Sequence, residues 1–361
     1  MLQGLDDIPW SSLHHAYGSA GDVPGLLRKL SSKDVREVDS ALSDLFGNIW
    51  HQNTVYEATS HAVPFLVELL MSRETHHRPK ILMLLQSIAD GSGYLAVHSP
   101  DNPEVIVETE HVQQCQEAVN RYLPEFVSLC RDADEAVRQQ LPSLLCSIRD
   151  GRKWILGHAL EEASAESDAF TVANWLFAIS HCADFPNDWF ERARAVCPSN
   201  DPVVHLAFSH LKLASSDDGR SLEGAEEVVL AFLNSKRYDA YFNQCGFTDM
   251  TSCGGLEGMF IYLAERLPTE ISRKLVKPLC HVAPKLGHIT AEMTCEPLLR
   301  IAFNNKVPVK GAVLTEDQIT LLQQVARTKY VYHAEPTRSI FLALQEAGTL
   351  KRIGIKNRSS W

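Results

Sequence analysis

The segment from Trp50 to Glu57 (W-H-Q-N-T-V-Y-E) carries the most unusual local chemistry of the 361-residue sequence. Tryptophan and tyrosine supply rigid contact area, and His51 and Gln52 supply adaptable hydrogen bonds, which is typical of a recognition patch. The alternative is a tight corner whose polar side chains satisfy unpaired backbone groups at helix ends. The segment His14–Gly18 has the same functional interpretation, and its alternative is capping of the first repeat. From this chemistry we predict partner contacts at Trp50, His51, Gln52, Tyr56 and Glu57.

A second candidate surface is acidic. Between Asp90 and Glu135, ten carboxylates oppose two arginines, and the resulting charge of −8 accounts for most of the formal −11 of the chain. Such a field steers a basic partner and disfavours nucleic acid. A solvated loop beside an acidic helix face explains the same residues without a partner. From this segment we predict partner contacts at Asp90, Asp101, Glu104, Glu108 and Glu110.

Metal and catalytic motifs are weak by comparison. His281 and His288 are seven residues apart, on one helix face only if Pro284 leaves that helix unbroken. Cys245 and Cys253 bracket a glycine-rich loop, but two thiols need two further ligands to make a zinc site. The sequence holds no H-E-x-x-H, no phosphate-binding loop and no nucleophile elbow. We therefore predict no catalytic residue, no metal and no cofactor.

The elements that must position these residues repeat along the chain. Three segments begin with a hydrophobic residue and a proline, and a second apolar run opens with an arginine 12 to 14 residues later. The pairs are Pro24 with Arg36, Pro64 with Arg78, and Pro124 with Arg138. Each proline is predicted in the first turn of a helix, where its missing N–H costs nothing. Two of the second runs end in S-I-x-D-G, so Gly91 and Gly151 are predicted as left-handed residues that stop a helix.

The spacing of these units indicates their class. Pro24 and Pro64 are 40 residues apart, at the edge of the range of roughly 40–47 for HEAT and armadillo repeats. Pro64 and Pro124 are 60 apart, which predicts one repeat plus an inserted loop near 91–111. That insertion lacks helical periodicity, and Val105–Val107 inside it is a candidate strand.

We predict an all-α fold, a HEAT-like α-solenoid of stacked antiparallel helix pairs. Residues 1–347 would form a single solenoid, with regular repeats over 1–151 and divergent repeats over 152–347, and residues 348–361 a frayed basic tail. Apolar runs at helical spacing continue through the divergent part. They are Trp154–Ala163, Phe170–Cys182, Trp189–Val196, Val203–Leu213, Ala225–Leu233, Leu256–Arg266, Ile271–Val282, Glu292–Phe303, Glu316–Ala326 and Arg338–Glu346.

Two stretches support a family resemblance, Trp10–Pro24 (W-S-S-L-H-H-A-Y-G-S-A-G-D-V-P) and Asn48–Pro64 (N-I-W-H-Q-N-T-V-Y-E-A-T-S-H-A-V-P). Here the chain resembles a mainly bacterial family of uncharacterised HEAT-repeat proteins, and the likeness covers about the first 150 residues. The resemblance implies the fold and brings no agreed activity. Some small HEAT proteins are immunity factors that block a toxin, and this chain is similar to them in size and acidity.

Composition sets the remaining expectations. No run approaches 18 apolar residues and the N-terminus has no secretory pattern, so we expect neither a membrane span nor a signal peptide. Nine cysteines without a C-x-x-C pair are typical of reduced core residues, which predicts a cytoplasmic protein. The favoured function is binding of a basic protein, with an immunity or inhibitor role. The alternative is an enzyme on a HEAT-like scaffold, of the DNA glycosylase or bilin-lyase type.

Overall fold

A computed structural model describes residues 2–99, 101–182, 188–197, 200–215, 298–304, 306–309, 312–327 and 337–355. The chain divides into two compact units, Met1–Ala183 and Asp184–Trp361. The described residues are mostly helical, as an all-α fold requires. Among them, no helix is both long enough and apolar enough to cross a bilayer.

The first unit holds ten α-helices within its described residues. They are α1 (Val23–Lys29), α2 (Val35–Asn48), α3 (Glu57–Met71), α4 (Arg78–Ala89), α5 (Tyr94–His98), α6 (Val105–Asn120), α7 (Leu123–Ser128), α8 (Glu135–Ser147), α9 (Arg149–Ala165) and α10 (Ala169–His181). Short 3-10 turns lie at Leu5–Asp7, Trp10–Ser12 and Leu129–Arg131. Four two-residue strands form two antiparallel hairpins, β1 (His14–His15) with β2 (Gly18–Ser19), and β3 (Trp50–His51) with β4 (Thr54–Val55).

Side-chain caps explain where several of these helices begin. The carboxylates of Asp34, Asp134 and Asp168 accept hydrogen bonds from backbone N–H groups in the first turns of α2, α8 and α10. Because the first N–H groups of a helix have no partner within it, each aspartate fixes a start point. The aspartate before each of these three helices therefore marks in the sequence where the helix begins.

The helices of the first unit pack in two rows. One row runs α1, α3, α6, α9, and the other runs α2, α4, α8, α10, with each helix packed against the next in its row. Contacts of α1 with α2, α3 with α4, and α9 with α10 join the rows. Apolar side chains fill the space between them, among them the fully buried Leu27, Leu66, Leu85, Leu144 and Leu176. Burial of such side chains is the main source of stability.

The predicted inserted loop near 91–111 is wrong, because most of this stretch is helical. Helix α5 occupies Tyr94–His98, and α6 begins at Val105, so the candidate strand Val105–Val107 is the first turn of a helix. Only Cys115 and Val119 of α6 are buried. The helix therefore lacks the apolar stripe on which the sequence argument depends.

Pro64 also differs from its predicted position. It lies inside α3, whose start is set seven residues earlier by reciprocal hydrogen bonds between Tyr56 and Thr59. Pro24 and Pro124 do lie in the first turns of α1 and α7, as predicted.

The two glycines of the S-I-x-D-G ends have a different role from the predicted one. Neither Gly91 nor Gly151 has a positive φ, and Gly151 lies inside α9. A Cβ on Gly91 would lie 2.4 Å from Val55 Cγ1, and a Cβ on Gly151 would lie 2.2 Å from the backbone oxygen of Leu145. Glycine is required at both positions by close approach of neighbouring groups.

Within the described residues of the second unit, the helices are α11 (Trp189–Val196), α12 (Pro202–Ser215), α13 (Glu316–Val325), α14 (Thr337–Glu346) and α15 (Thr349–Arg352), and residues 298–303 are also helical. Leu350 and Ile355 are buried, so part of the segment expected to be a frayed tail is packed. The predicted runs between residues 225 and 282, the tail residues 356–361 and the residues weighed for metal binding (Cys245, Cys253, His281, His288) lie outside the described residues.

Candidate functional site

The segment Trp50–Val55 forms a tight hairpin between α2 and α3. Trp50 pairs with Val55 and His51 with Thr54, which leaves Gln52 and Asn53 at the tip. Both tip residues have positive φ, 48° and 69°, as the two central positions of a type I′ turn require. Gln52 and Asn53 are exposed, so their amides face solvent.

Hydrogen bonds join this hairpin to the first turn of α3. The Thr54 hydroxyl donates to the His51 carbonyl at 2.6 Å and lies 2.7 Å from the Tyr56 hydroxyl. The Tyr56 backbone N–H donates to Thr59 Oγ1 at 2.9 Å, and that hydroxyl donates to the Ile49 carbonyl. The predicted site residue Tyr56 is therefore half-buried and held in place by the corner itself.

The second hairpin, β1–β2, lies directly against the first. Its Ala16 N–H donates to the Asn48 carbonyl at 3.0 Å. Tyr17 places its hydroxyl 3.4 Å from His51 Nδ1, with the two rings edge to face at 5.4 Å. On the other side, the His14 N–H donates to Glu57 Oε2 at 3.2 Å. The segments His14–Gly18 and Trp50–Glu57, weighed separately in the sequence, thus form one surface.

His15 is the one buried histidine of this surface, and its two ring nitrogens are both engaged. Nδ1 accepts the Tyr17 backbone N–H at 3.0 Å, so the ring proton sits on Nε2, which lies 3.0 Å from Asp22 Oδ1. The second oxygen of Asp22 accepts from the Asn48 amide at 2.7 Å. This histidine–aspartate pair holds the hairpin in place and has no free nitrogen for proton transfer.

A third segment extends the surface toward α6. Ser92 forms a parallel bridge with Thr54, donating its N–H to the Asn53 carbonyl at 2.8 Å and accepting from the Val55 N–H at 3.0 Å. The carboxylate of Glu108, on α6, accepts from the Leu95 N–H at 2.6 Å. Burial raises the pKa of the Tyr56 phenol, and the nearby Tyr17, Glu108 and Tyr94 raise it further.

We name this continuous surface the junction edge. It comprises His14–Ser19, Trp50–Glu57, Ser92–Tyr94 and the first turns of α6, residues 104–110. Three of its exposed side chains are large and apolar or aromatic: Tyr17, with 69% of its surface exposed, Tyr94, and Ile106, with 71%. Val107 is exposed beside Ile106. Solvent-facing tyrosines next to aliphatic groups are typical of a binding surface.

The predicted acidic residues fall into two groups. Asp101, Glu104 and Glu110 are exposed, and within the described part of the chain no ion pair holds their carboxylates. Glu108 is used internally, as the acceptor for the start of α5. Asp90 is turned away from the junction edge, because its carboxylate accepts from the Ser147 hydroxyl at 2.6 Å. Desolvation by neighbouring atoms raises the pKa of Asp90, although the hydrogen bond from Ser147 and the charge of Arg152 act to lower it.

Trp50, another predicted site residue, packs its ring edge to face on Phe46 at 6.0 Å. Its indole N–H is buried and has no hydrogen-bond partner among the residues that the structure describes. The ring is half-buried, so Trp50 supports the hairpin more than it contacts solvent.

The sequence argument missed Tyr94 and Ile106. A tyrosine lies in or directly after each of three loop segments, at Tyr17, Tyr56 and Tyr94, and this recurrence is the signal that could have identified Tyr94. Ile106 carries no such signal, because a single exposed aliphatic residue on a polar helix is ordinary.

Chemically, the junction edge offers phenols, imidazoles, amides and carboxylates for hydrogen bonding and charge pairing. In the described ranges, no group of three or more histidine, cysteine, aspartate or glutamate side chains is arranged to hold a metal ion. A scan of protein-family models finds none that matches this chain, and a search of curated proteins finds no match either.

Proposed function

We propose that the chain is a HEAT-like α-solenoid that binds a basic protein through the junction edge. The two rows of helices in the first unit support the architecture. Each helix of a row packs on the next, and three pairs (α1 with α2, α3 with α4, α9 with α10) join the rows, as neighbour-to-neighbour packing in a repeat array requires. In such an array, the turns that enter each pair fall on one edge.

A single observation carries the proposed function, namely the joining of two surfaces that the sequence suggested separately. Ser92 hydrogen-bonds to the β3–β4 hairpin, and the Leu95 N–H donates to Glu108 in the acidic first turns of α6. The edge therefore presents exposed aromatic side chains beside Glu104 and Glu110, whose carboxylates pair with no cation in the part of the chain that the structure describes. A partner rich in lysine or arginine fits both, through ion pairs and through cation contacts with the tyrosine faces.

The charge of the chain favours this class of partner over others. A formal net charge of −11 repels nucleic acid and anionic lipid surfaces and raises the association rate with a basic protein. We propose an immunity or inhibitor role, in which the junction edge covers the working surface of a basic partner such as a toxin domain. We propose a cytoplasmic location, in keeping with the free cysteines of the first unit.

The test is co-purification from the native lysate with four versions of the full chain. The first is wild type, and the second neutralises two exposed acids of the edge, Glu104 and Glu110, together with Asp101, which precedes them in the sequence (Asp101→Asn, Glu104→Gln, Glu110→Gln). The third is a control with the same charge change on exposed acids elsewhere in the first unit (Glu37→Gln, Asp44→Asn, Glu74→Gln). A fourth version, Tyr17→Ala, probes the aromatic part of the edge.

We expect a stoichiometric basic protein on wild type and on the control, reduced by moderate salt and lost from the edge variant. Tyr17→Ala should weaken binding by about 2 kcal/mol if this tyrosine is a hot spot. Equal retention by wild type, edge variant and Tyr17→Ala contradicts the proposal. A small molecule or metal co-purifying without any protein favours the enzyme alternative.

A further inference from the structure

Two thiols meet in the core of the first unit. Cys146 lies in the last turn of α8, Cys182 follows the end of α10, and both side chains are buried. Each Sγ donates to the same acceptor, the Ala178 carbonyl, at 3.3 Å, which brings the two sulfurs close together. Two cysteines that are 36 residues apart in the sequence are thus neighbours in the fold.

The surroundings make the two sulfurs chemically unequal. The neighbouring Cys146 thiol lowers the pKa of Cys182, and the Arg152 guanidinium lowers it further against the effect of burial. The neighbouring Cys182 and burial raise the pKa of Cys146. Cys182 is thereby the sulfur that loses its proton more readily, and the thiolate is the form that attacks a disulfide.

The other described thiols provide the contrast. Burial raises the pKa of Cys115 and of Cys130 to about 12, and that of Cys197 to about 11. The pair also lies beside a polar cleft of about 560 Å³, lined by Ser147, Ile148 and Arg152 among others. Arg152 belongs to both features, because its Nε donates to the Cys146 carbonyl.

We propose that Cys146 and Cys182 are a modification site that forms a reversible intramolecular disulfide with a small-molecule disulfide as oxidant. The Cys182 thiolate attacks one sulfur of the oxidant, whose S–S bond breaks and releases one thiolate, which takes up a proton. Cys146 then loses its proton and attacks Cys182 Sγ, expelling the second thiol. The protein loses two hydrogens, and the oxidant becomes two thiols.

The consequence of oxidation is a covalent link between the ends of α8 and α10. These two helices are neighbours in one row, so the link restrains that row without altering the junction edge. The inference does not depend on the proposed partner binding, because it rests on the thiols, Ala178 and Arg152 alone.

The test uses the folded full-length protein, reduced and then incubated with oxidised glutathione. Intact mass should fall by two hydrogens, two of the nine thiols should become unreactive, and peptide mapping should show Cys146 linked to Cys182. Dithiothreitol should reverse each change. The oxidised protein should also unfold at a higher temperature than the reduced one.

Variants distinguish the pair from adventitious oxidation. Cys146→Ser should stop at a glutathione adduct on Cys182, and Cys182→Ser should react far more slowly at Cys146. Cys130→Ser, the control, should behave as wild type. Reaction of wild type only in denaturant, or a linked peptide with any other pairing, contradicts the proposal even if a variant fails to fold.

Discussion

Replacing Asp132 by asparagine tests the energetic weight of a buried ion pair that joins α4 to the turn before α8. Arg78 and Asp132 are only 5% and 8% exposed. The guanidinium donates to both carboxylate oxygens, Nη1 to Oδ1 at 3.0 Å and Nη2 to Oδ2 at 2.7 Å, while its Nε donates to the Leu70 carbonyl at 2.7 Å. The substitution keeps the shape of the side chain and removes its charge.

The size of the effect follows from that burial. Removing one partner of a buried pair leaves the other charge uncompensated and costs about 3–5 kcal/mol. Asparagine keeps one acceptor oxygen, so we expect the lower end, about 3 kcal/mol. For a unit of this size, that corresponds to a fall in the midpoint of thermal unfolding of roughly 6–12 °C.

The pH dependence carries a definite sign. The hydrogen bonds from Arg78 hold the pKa of Asp132 below its usual 3.8. A group whose pKa is lowered on folding contributes stability above its unfolded pKa and loses that contribution as the pH falls toward the folded value. The difference between wild type and Asp132→Asn should therefore be constant at neutral pH and narrow below about pH 4.

The assay is urea unfolding of the full chain followed by tryptophan fluorescence, with amide hydrogen exchange on α4 and α8 to assign the change to the first unit. Asp39→Asn is the control, because Asp39 pairs with Lys80 at 2.6 Å in a half-exposed setting and should leave the midpoint nearly unchanged. A loss from Asp132→Asn no larger than that of the control would refute the reasoning. So would a difference that grows as the pH falls.

Two further predictions concern close packing and an internal carboxylate. Gly151→Ala should destabilise the protein by about 1–3 kcal/mol, because the new Cβ meets the Leu145 carbonyl. Gly157→Ala, on the same helix with nothing within 4 Å, should instead stabilise it by about 0.5–1 kcal/mol, and equal midpoints in urea would contradict the steric argument. Glu108→Ala should accelerate hydrogen exchange at the Leu95 amide roughly ten- to a hundred-fold, and unchanged exchange there would remove Glu108 from its assigned role.

Much of the helical content could be predicted from the sequence, because amphipathic periodicity and capping residues are local signals. The run Trp189–Val196 coincides with α11, and Glu316–Ala326 differs from α13 by one residue. Prediction failed at α6, whose first turns bury nothing and whose acids and exposed aliphatic residues leave no stripe. A helix that buries only Cys115 and Val119 has no periodic signature.

For the junction edge, the sequence identified the chemistry of its members and not their arrangement. The hairpins have strands of only two residues, too short for an alternating pattern to show. The pairing of the β3–β4 hairpin with Ser92 and the contact between Tyr17 and His51 join residues that are far apart in the sequence, which depends on how the helices pack. The hydrogen bond between the Asp90 carboxylate and the Ser147 hydroxyl likewise depends on how the helices pack.

Backbone hydrogen bonds between neighbouring loop segments hold the junction edge together, whereas its exposed side chains provide the chemistry for contact with a partner. The hydrogen bonds of Ser92 with Asn53 and Val55, and of Ala16 with Asn48, join backbone N–H and C=O groups. Every residue except proline possesses both groups. The tip side chains can therefore vary without loosening the frame. A lineage under pressure from changing partners can exchange the residue at Tyr17 freely, and the residues at Gln52 and Asn53 among those that tolerate a positive φ.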